Sequence, residues 1–146
     1  MSGAIERKKL WIAAAVAFVV LYGLEFVVHG LLLGPIYRKP HYLTLWNPEH
    51  VMMGRMPAMA LAYAVASIVF AMIYAQGYEP SKSSVGQGLR CGLLLGTLVS
   101  TFHSLIDFAV YPVSWKLAAA WVAAGIAVFC VVGVVIALIC TPKPAA

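Results

Sequence analysis

Charge is what this sequence has least of. Ten Lys and Arg and five Asp and Glu make up 10% of its 146 residues, where a soluble domain carries about 25%. Apolar residues reach 63% and the mean hydropathy is +0.92. A chain this short leaves roughly a third of its unfolded surface exposed after folding, so that much hydrocarbon cannot be hidden from water. A soluble enzyme and a disordered tail are excluded on this ground. Cysteine is scarce as well: three residues with no C-x-x-C spacing give neither a disulfide framework nor a thiolate zinc site. No phosphate-binding glycine loop, G-x-S-x-G, H-E-x-x-H or C-x-x-C-H is present, so the common catalytic and haem-attachment signatures are missing. The net charge of +5 is scattered over loops and ends, with no basic stripe or reader motif. Nucleic acid is therefore not an expected partner; lipid headgroups are.

What the sequence has is four long apolar runs, at about 10–33, 49–76, 88–110 and 115–140. Each exceeds the ~20 residues that cross a hydrocarbon core of ~30 Å. Arg7, Lys8 and Lys9 precede the first run in the manner of a signal peptide. The run is longer than a secretory h-region and no small-x-small cleavage site follows, so it is expected to stay as a membrane helix. Gly34-Pro35 ends it, since proline lacks the N–H and crowds the preceding turn. Asn47-Pro48-Glu49 opens the second run with a capping side chain, a proline and an acid in the first turn. Gly77 to Gly86, with Pro80 and three serines, forms the middle loop, and Tyr111-Pro112 separates the third run from the fourth. The expected fold is an all-α antiparallel bundle of four transmembrane helices in one domain, 1–146.

Orientation is read from basic residues near the helix ends. Arg7, Lys8, Lys9, Lys82, Arg90 and Lys143 fall on one side; Arg38, Lys39, Lys116 and the deeper Arg55 fall on the other. Both termini are expected in the cytoplasm. Trp11 on the inner side, and Tyr37, Tyr42, Trp46, Tyr111 and Trp115 on the outer, suit interfacial positions. A faint parallel repeat pairs Glu25-x-x-x-His29 before Gly34-Pro35 with His103-x-x-x-Asp107 before Tyr111-Pro112.

Ionisable residues within a span are costly and usually face a protein interior or a wet cavity. At ~1.5 Å of rise per residue, Glu25 and His103 lie about 21–22 Å from the inner ends of their spans, and Arg55 about 10 Å down from the outer end of its own. In a ~30 Å core these are one level, with His29 and Asp107 a turn further out. Glu25, His29, Arg55, His103 and Asp107 are therefore expected to form a polar cluster in the outer leaflet. Three roles are open. As a structural network, Arg55 neutralises Glu25 or Asp107 and each histidine serves a carboxylate. As a metal or haem site, Glu25, His29, His103 and Asp107 supply ligands from two helices, although Arg55 nearby repels a cation. As a proton or ion path, the same residues are the usual material.

Met52, Met56 and Met59 share a helix face and are soft enough for Cu(I), but methionine is also an adaptable gap filler beside an intrahelical proline, here Pro57, where a kink is expected. Gly92-x-x-x-Gly96 is a small-x-x-x-small face that brings membrane helices close together. The segments 25–37 (EFVVHGLLLGPIY) and 89–100 (LRCGLLLGTLVS), with the glycine-bearing last span, give the chain a resemblance to small four-helix bacterial inner-membrane proteins that carry no assigned activity. The resemblance implies the architecture and the membrane, and brings no functional residue with it. The leading expectation is a non-catalytic accessory subunit that works among membrane lipids and other membrane subunits without a cofactor. A metal- or haem-binding protein and a small oligomeric transporter are the alternatives.

Overall fold

The computed structural model describes residues 5–141; Lys143, counted above in the orientation, lies outside them. Helix α1 (Arg7–Glu25) runs directly into a π-helical segment, Phe26–Leu32, and two short helices follow, α2 (Gly34–Tyr37) and α3 (Pro40–Leu43). Three long helices complete the chain: α4 (Glu49–Gln76), α5 (Ser84–Val110) and α6 (Trp115–Cys140). No strand occurs among the described residues. Arg7–Leu32, α4, α5 and α6 are each long and apolar enough to span a bilayer, with mean hydropathies of 2.2, 2.1, 1.6 and 3.0 over their most apolar 18 residues. The chain is an all-α, multi-pass membrane protein. Its far end is the one where α1 finishes, α4 begins, α5 finishes and α6 begins.

The helix boundaries follow local chemistry. Ser114 caps α6 by accepting from the Leu117 N–H at 3.2 Å. Ser83 caps α5 by accepting from Gly86 at 3.3 Å, so the third span opens four residues before the expected start at Gly88; a serine read as loop is here a cap. The helix α4 runs unbroken through Pro57. The first span is less regular than its sequence suggests. Its ladder widens after Glu25, and Leu33 N–H reaches back five residues to Val28 O at 2.8 Å. Pro35 cannot continue an α ladder, and Gly30 makes room in the wide turn, because a Cβ there would sit 3.3 Å from the Phe26 ring.

The helix α6 is the hub. Ala13, Ala17 and Leu21 of α1 pack with Phe70, Ala71 and Tyr74 of α4 and with Val128, Val132 and Ile136 of α6 in one buried core. The alanines let the backbones approach, and Phe70 stacks on Phe129 with centroids 5.6 Å apart. The helix α5 stands outside this core and packs along α6. Its buried residues are Gly88, Gly92, Gly96, Ser100 and Ser104, one every fourth position. A Cβ on Gly88 would strike the Gly133 carbonyl, one on Gly92 the Phe129 carbonyl, and one on Gly96 would come within 2.9 Å of the Phe129 side chain. Cys91 and Leu95 flank this stripe half-buried, and the opposite face of α5, including Leu94, Leu98 and Phe102, is uncovered.

One further part of the molecule is bare. Every buried residue of α4 lies at or beyond Ser67. From Glu49 to Met59 no residue is buried, and all but Val51 are exposed. These three turns stand free of α2, α3 and the π segment, and α4 meets α5 mainly near their shared loop, where the Tyr74 hydroxyl donates to Ser84 O at 3.5 Å.

Candidate functional site

Four ionisable residues of the spans form two separate pairs at the far end. In the first, Glu25 is the last residue of α1 and His29 lies one turn on, within the π segment. The i,i+4 spacing puts both on one face, and His29 Nε2 lies 3.3 Å from a Glu25 carboxylate oxygen. The chain then turns at Gly34-Pro35 and brings Tyr37 back over the imidazole. Tyr37 Oη lies 2.7 Å from His29 Nδ1, and the two rings stack with centroids 6.0 Å apart and 11° between planes. Trp121 of α6 donates its indole N–H to the same hydroxyl at 2.7 Å. Trp46 closes edge-on over Tyr37 at 5.2 Å, and Tyr63 of α4 faces the Glu25 carboxylate.

Donor capacity fixes the direction of this chain. Indole can only donate, so the Tyr37 oxygen accepts from Trp121, which leaves its own proton available to His29 Nδ1 in the tautomer that accepts there. A neutral imidazole accepting at Nδ1 carries its proton on Nε2 and donates it to Glu25. In that tautomer every link from Trp121 through Tyr37 and His29 to Glu25 has a donor and an acceptor. Nearby, His41 donates through Nε2 to Pro112 O at 3.0 Å, and the Tyr42 hydroxyl accepts from Ser114 N at 3.4 Å. These bonds tie the 34–46 segment to the turn before α6 and hold Tyr37 in place.

Burial pushes the Tyr37 phenol up from 10.0 to about 12; the Trp121 hydrogen bond pulls against this and the Glu25 charge adds to it. Because the folded chain holds this proton more tightly than the unfolded one, the stabilisation is complete below pH 10.0 and is lost as pH rises through about 12. Thermal melts of the wild type and Tyr37→Phe across pH 9 to 12 (a range chosen to bracket these values) are expected to show the alkaline loss in the wild type and a shallower loss in the variant. Parallel curves would mean that the hydroxyl is not held as described.

The second pair belongs to α5. His103 Nδ1 lies 3.1 Å from Asp107 Oδ2, with the His103 side chain 77% exposed and Asp107 23% exposed. Nothing from α1 or the π segment packs against this helix to any extent. Arg55, on the bare start of α4, is exposed and forms no ion pair within 4 Å among the described residues.

The five residues expected to cluster are thus divided: Glu25 with His29, His103 with Asp107, and Arg55 alone. Glu25, His29, His103 and Asp107 do not come together as a metal ligand set; no group of three or more His, Cys, Asp and Glu able to hold an ion occurs among the described residues. Gly92 and Gly96 lie in the contact with α6. Sequence reasoning missed Tyr37 and Trp121 as members of the polar network. The signal for Trp121 was an indole N–H deep in an otherwise nonpolar span, which needs an acceptor. Compared with family models, curated proteins and solved structures, the chain matches none.

Proposed function

We propose that this chain is a small non-catalytic subunit of a larger membrane assembly in a bacterial inner membrane, with both termini in the cytoplasm. The observation that carries this reading is the placement of His103, exposed and paired with the half-buried Asp107, at a helix face that α6 does not cover. An ionisable pair in a span costs free energy against lipid and is normally turned toward protein or water. The bare, methionine-rich start of α4 supports the same conclusion, because flexible thioether side chains suit a surface that packs against a partner. The Glu25 network points away from proton conduction. The network ends at the Trp121 indole, which can donate but not accept and so cannot relay a proton onward, and it works as a fastener between the far-end segment and α6.

Extraction from native membranes in mild detergent is expected to yield the chain at fixed stoichiometry within a membrane complex. Leu98→Trp and Phe102→Trp, which lipid accommodates and a packed partner does not, are expected to release it while leaving its own melting unchanged. Recovery of the wild type as a lone monomer, or ion flux from the isolated chain in liposomes, would contradict the reading. A reporter active only in the cytoplasm and fused after Ala146 should give signal; signal from a periplasm-only reporter there would reverse the orientation.

A further inference from the structure

We infer that the occupant of the bare α5 face is a second copy of this chain, locked by reciprocal ion pairs between Arg55 of one copy and Asp107 of the other. The inference rests on the preceding reading that the α5 face is covered, and it names what covers it.

Charge complementarity at matched depth is the basis. Arg55 is the cation set within a span at the far end, where α5 carries Asp107, and it lacks a carboxylate within 4 Å among the described residues. Asp107 engages His103 through Oδ2, and its other oxygen has no partner among the described residues, so the carboxylate has an acceptor to offer a guanidinium. Arg55 lies seven residues beyond Pro48, which caps α4, and His103 seven residues before Val110, which ends α5. At ~1.5 Å per residue both stand about 10 Å below the far end, with Asp107 one turn above His103. A long arginine stem covers that turn.

A two-fold axis along the membrane normal keeps every residue at its own depth. It therefore brings the bare start of α4 in one copy level with the α5 face of the other, and does so twice. These two uncovered faces then cover each other. The Arg55 guanidinium and the Asp107 carboxylate, which His103 engages through one oxygen, leave the lipid together, as buried charges require. The contact is self-complementary, since one surface supplies the cation and the other the anion. Met52, Met56 and Met59, exposed on α4, are adaptable enough to pack against Leu98 and Phe102 of α5.

A charge exchange tests the pairing. The wild type, Arg55→Asp and Asp107→Arg are labelled with donor or acceptor dyes and reconstituted in liposomes, and energy transfer reports self-association at several protein-to-lipid ratios. Each single variant sets like charges opposite each other at both contacts, and its dimer fraction is expected to fall by about tenfold or more. Mixing the two variants restores both contacts, one with the native charges and one with them exchanged, and transfer between them is expected to return to the wild-type level. Circular dichroism melts of each variant confirm that the fold is kept, and rescue on mixing can itself come only from folded chains. Two results overturn the inference: a wild type that stays monomeric at every ratio, or single variants whose mixture does not recover. If the chain is monomeric in liposomes yet co-purifies at fixed ratio with a different subunit, the second copy is ruled out while the larger assembly stands. If it is monomeric and co-purifies with nothing, both fail.

Discussion

Replacing Gly92 with leucine is expected to detach α5 from α6. Even one carbon at this position collides with the Phe129 carbonyl and comes within 2.7 Å of the Cys130 Cα. Both are backbone, so no rotamer change relieves the contact, and the helices have to separate along the stripe from Gly88 to Ser104. Overpacking a close contact costs ~1–3 kcal/mol in typical cores and more where nothing can yield; Gly92→Leu belongs at or above the top of that range. Gly88→Leu and Gly133→Leu are expected to behave alike, since a Cβ on either strikes the backbone of the other. Gly23 is the control: nothing lies within 4 Å of its would-be Cβ, so Gly23→Ala should be neutral or slightly stabilising, because glycine costs about 0.5–1 kcal/mol in a helix relative to alanine. Thermal melting in detergent, together with proteolysis of the α4–α5 loop, measures the difference. Equal stability of Gly92→Leu and Gly23→Ala would mean that α5 does not lie where described.

Cutting the polar chain at His29 is the second large effect. His29→Leu removes the donor to Glu25 and the acceptor of the Tyr37 proton in one step, leaving a carboxylate that is only 19% exposed and a phenol clamped by Trp121 and Trp46. Stranding a partly buried polar group costs ~1–3 kcal/mol. With two groups stranded, a loss of about 2–4 kcal/mol is expected in denaturant melts. Trp121→Phe acts on the same hydroxyl, so its effect should be non-additive with His29→Leu. His103→Leu is the counterpart: its side chain is 77% exposed and serves Asp107 alone among the described residues. The isolated protein should tolerate it nearly unchanged, with the loss appearing in the native assembly. Strict additivity of His29→Leu and Trp121→Phe would break the chain of hydrogen bonds assigned to Tyr37.

The spans were legible because the signals that bound them are local. Pro48 and Pro112 lie beside helix starts, and α4 and α6 occupy the expected 49–76 and 115–140, although Pro48 itself stands at the cap position of α4 and the capping bond expected from Asn47 is not made. Ser83 was missed as a cap because a serine among other loop serines carries no mark of its role. The π segment was not legible either, since its widened turn depends on how Gly30, Phe26 and Pro35 share space.

The polar residues show a sharper limit. Rise per residue gives depth, and depth alone grouped Arg55, Glu25 and His103. Which way each points around its helix depends on which helix is the neighbour. In a membrane protein that choice is hidden, because lipid-facing and protein-facing positions are equally apolar. The helix α5 packs by a glycine and serine stripe against α6 rather than by its polar residues against α1, and that separates His103 from Glu25. Tyr37 and Trp121 were legible only as an interfacial aromatic and a span residue, because their meeting depends on the reversal of the chain at Gly34-Pro35.

The claim that the α5 face is covered in the working protein is tested most directly by a lipid-soluble carbene probe, photoactivated in native membranes and again with the purified chain in liposomes diluted until it is monomeric, with labelled residues read by mass spectrometry. Trp11 and Val19, exposed on α1, report lipid access in both samples. Leu94, Leu98 and Phe102 of α5 are expected to label strongly in the diluted chain and to be protected in native membranes, along with Met53 and Met56 of α4. Equal labelling of these residues in the two samples would show that the face carrying His103 and Asp107 meets lipid in the native membrane, and would contradict the account.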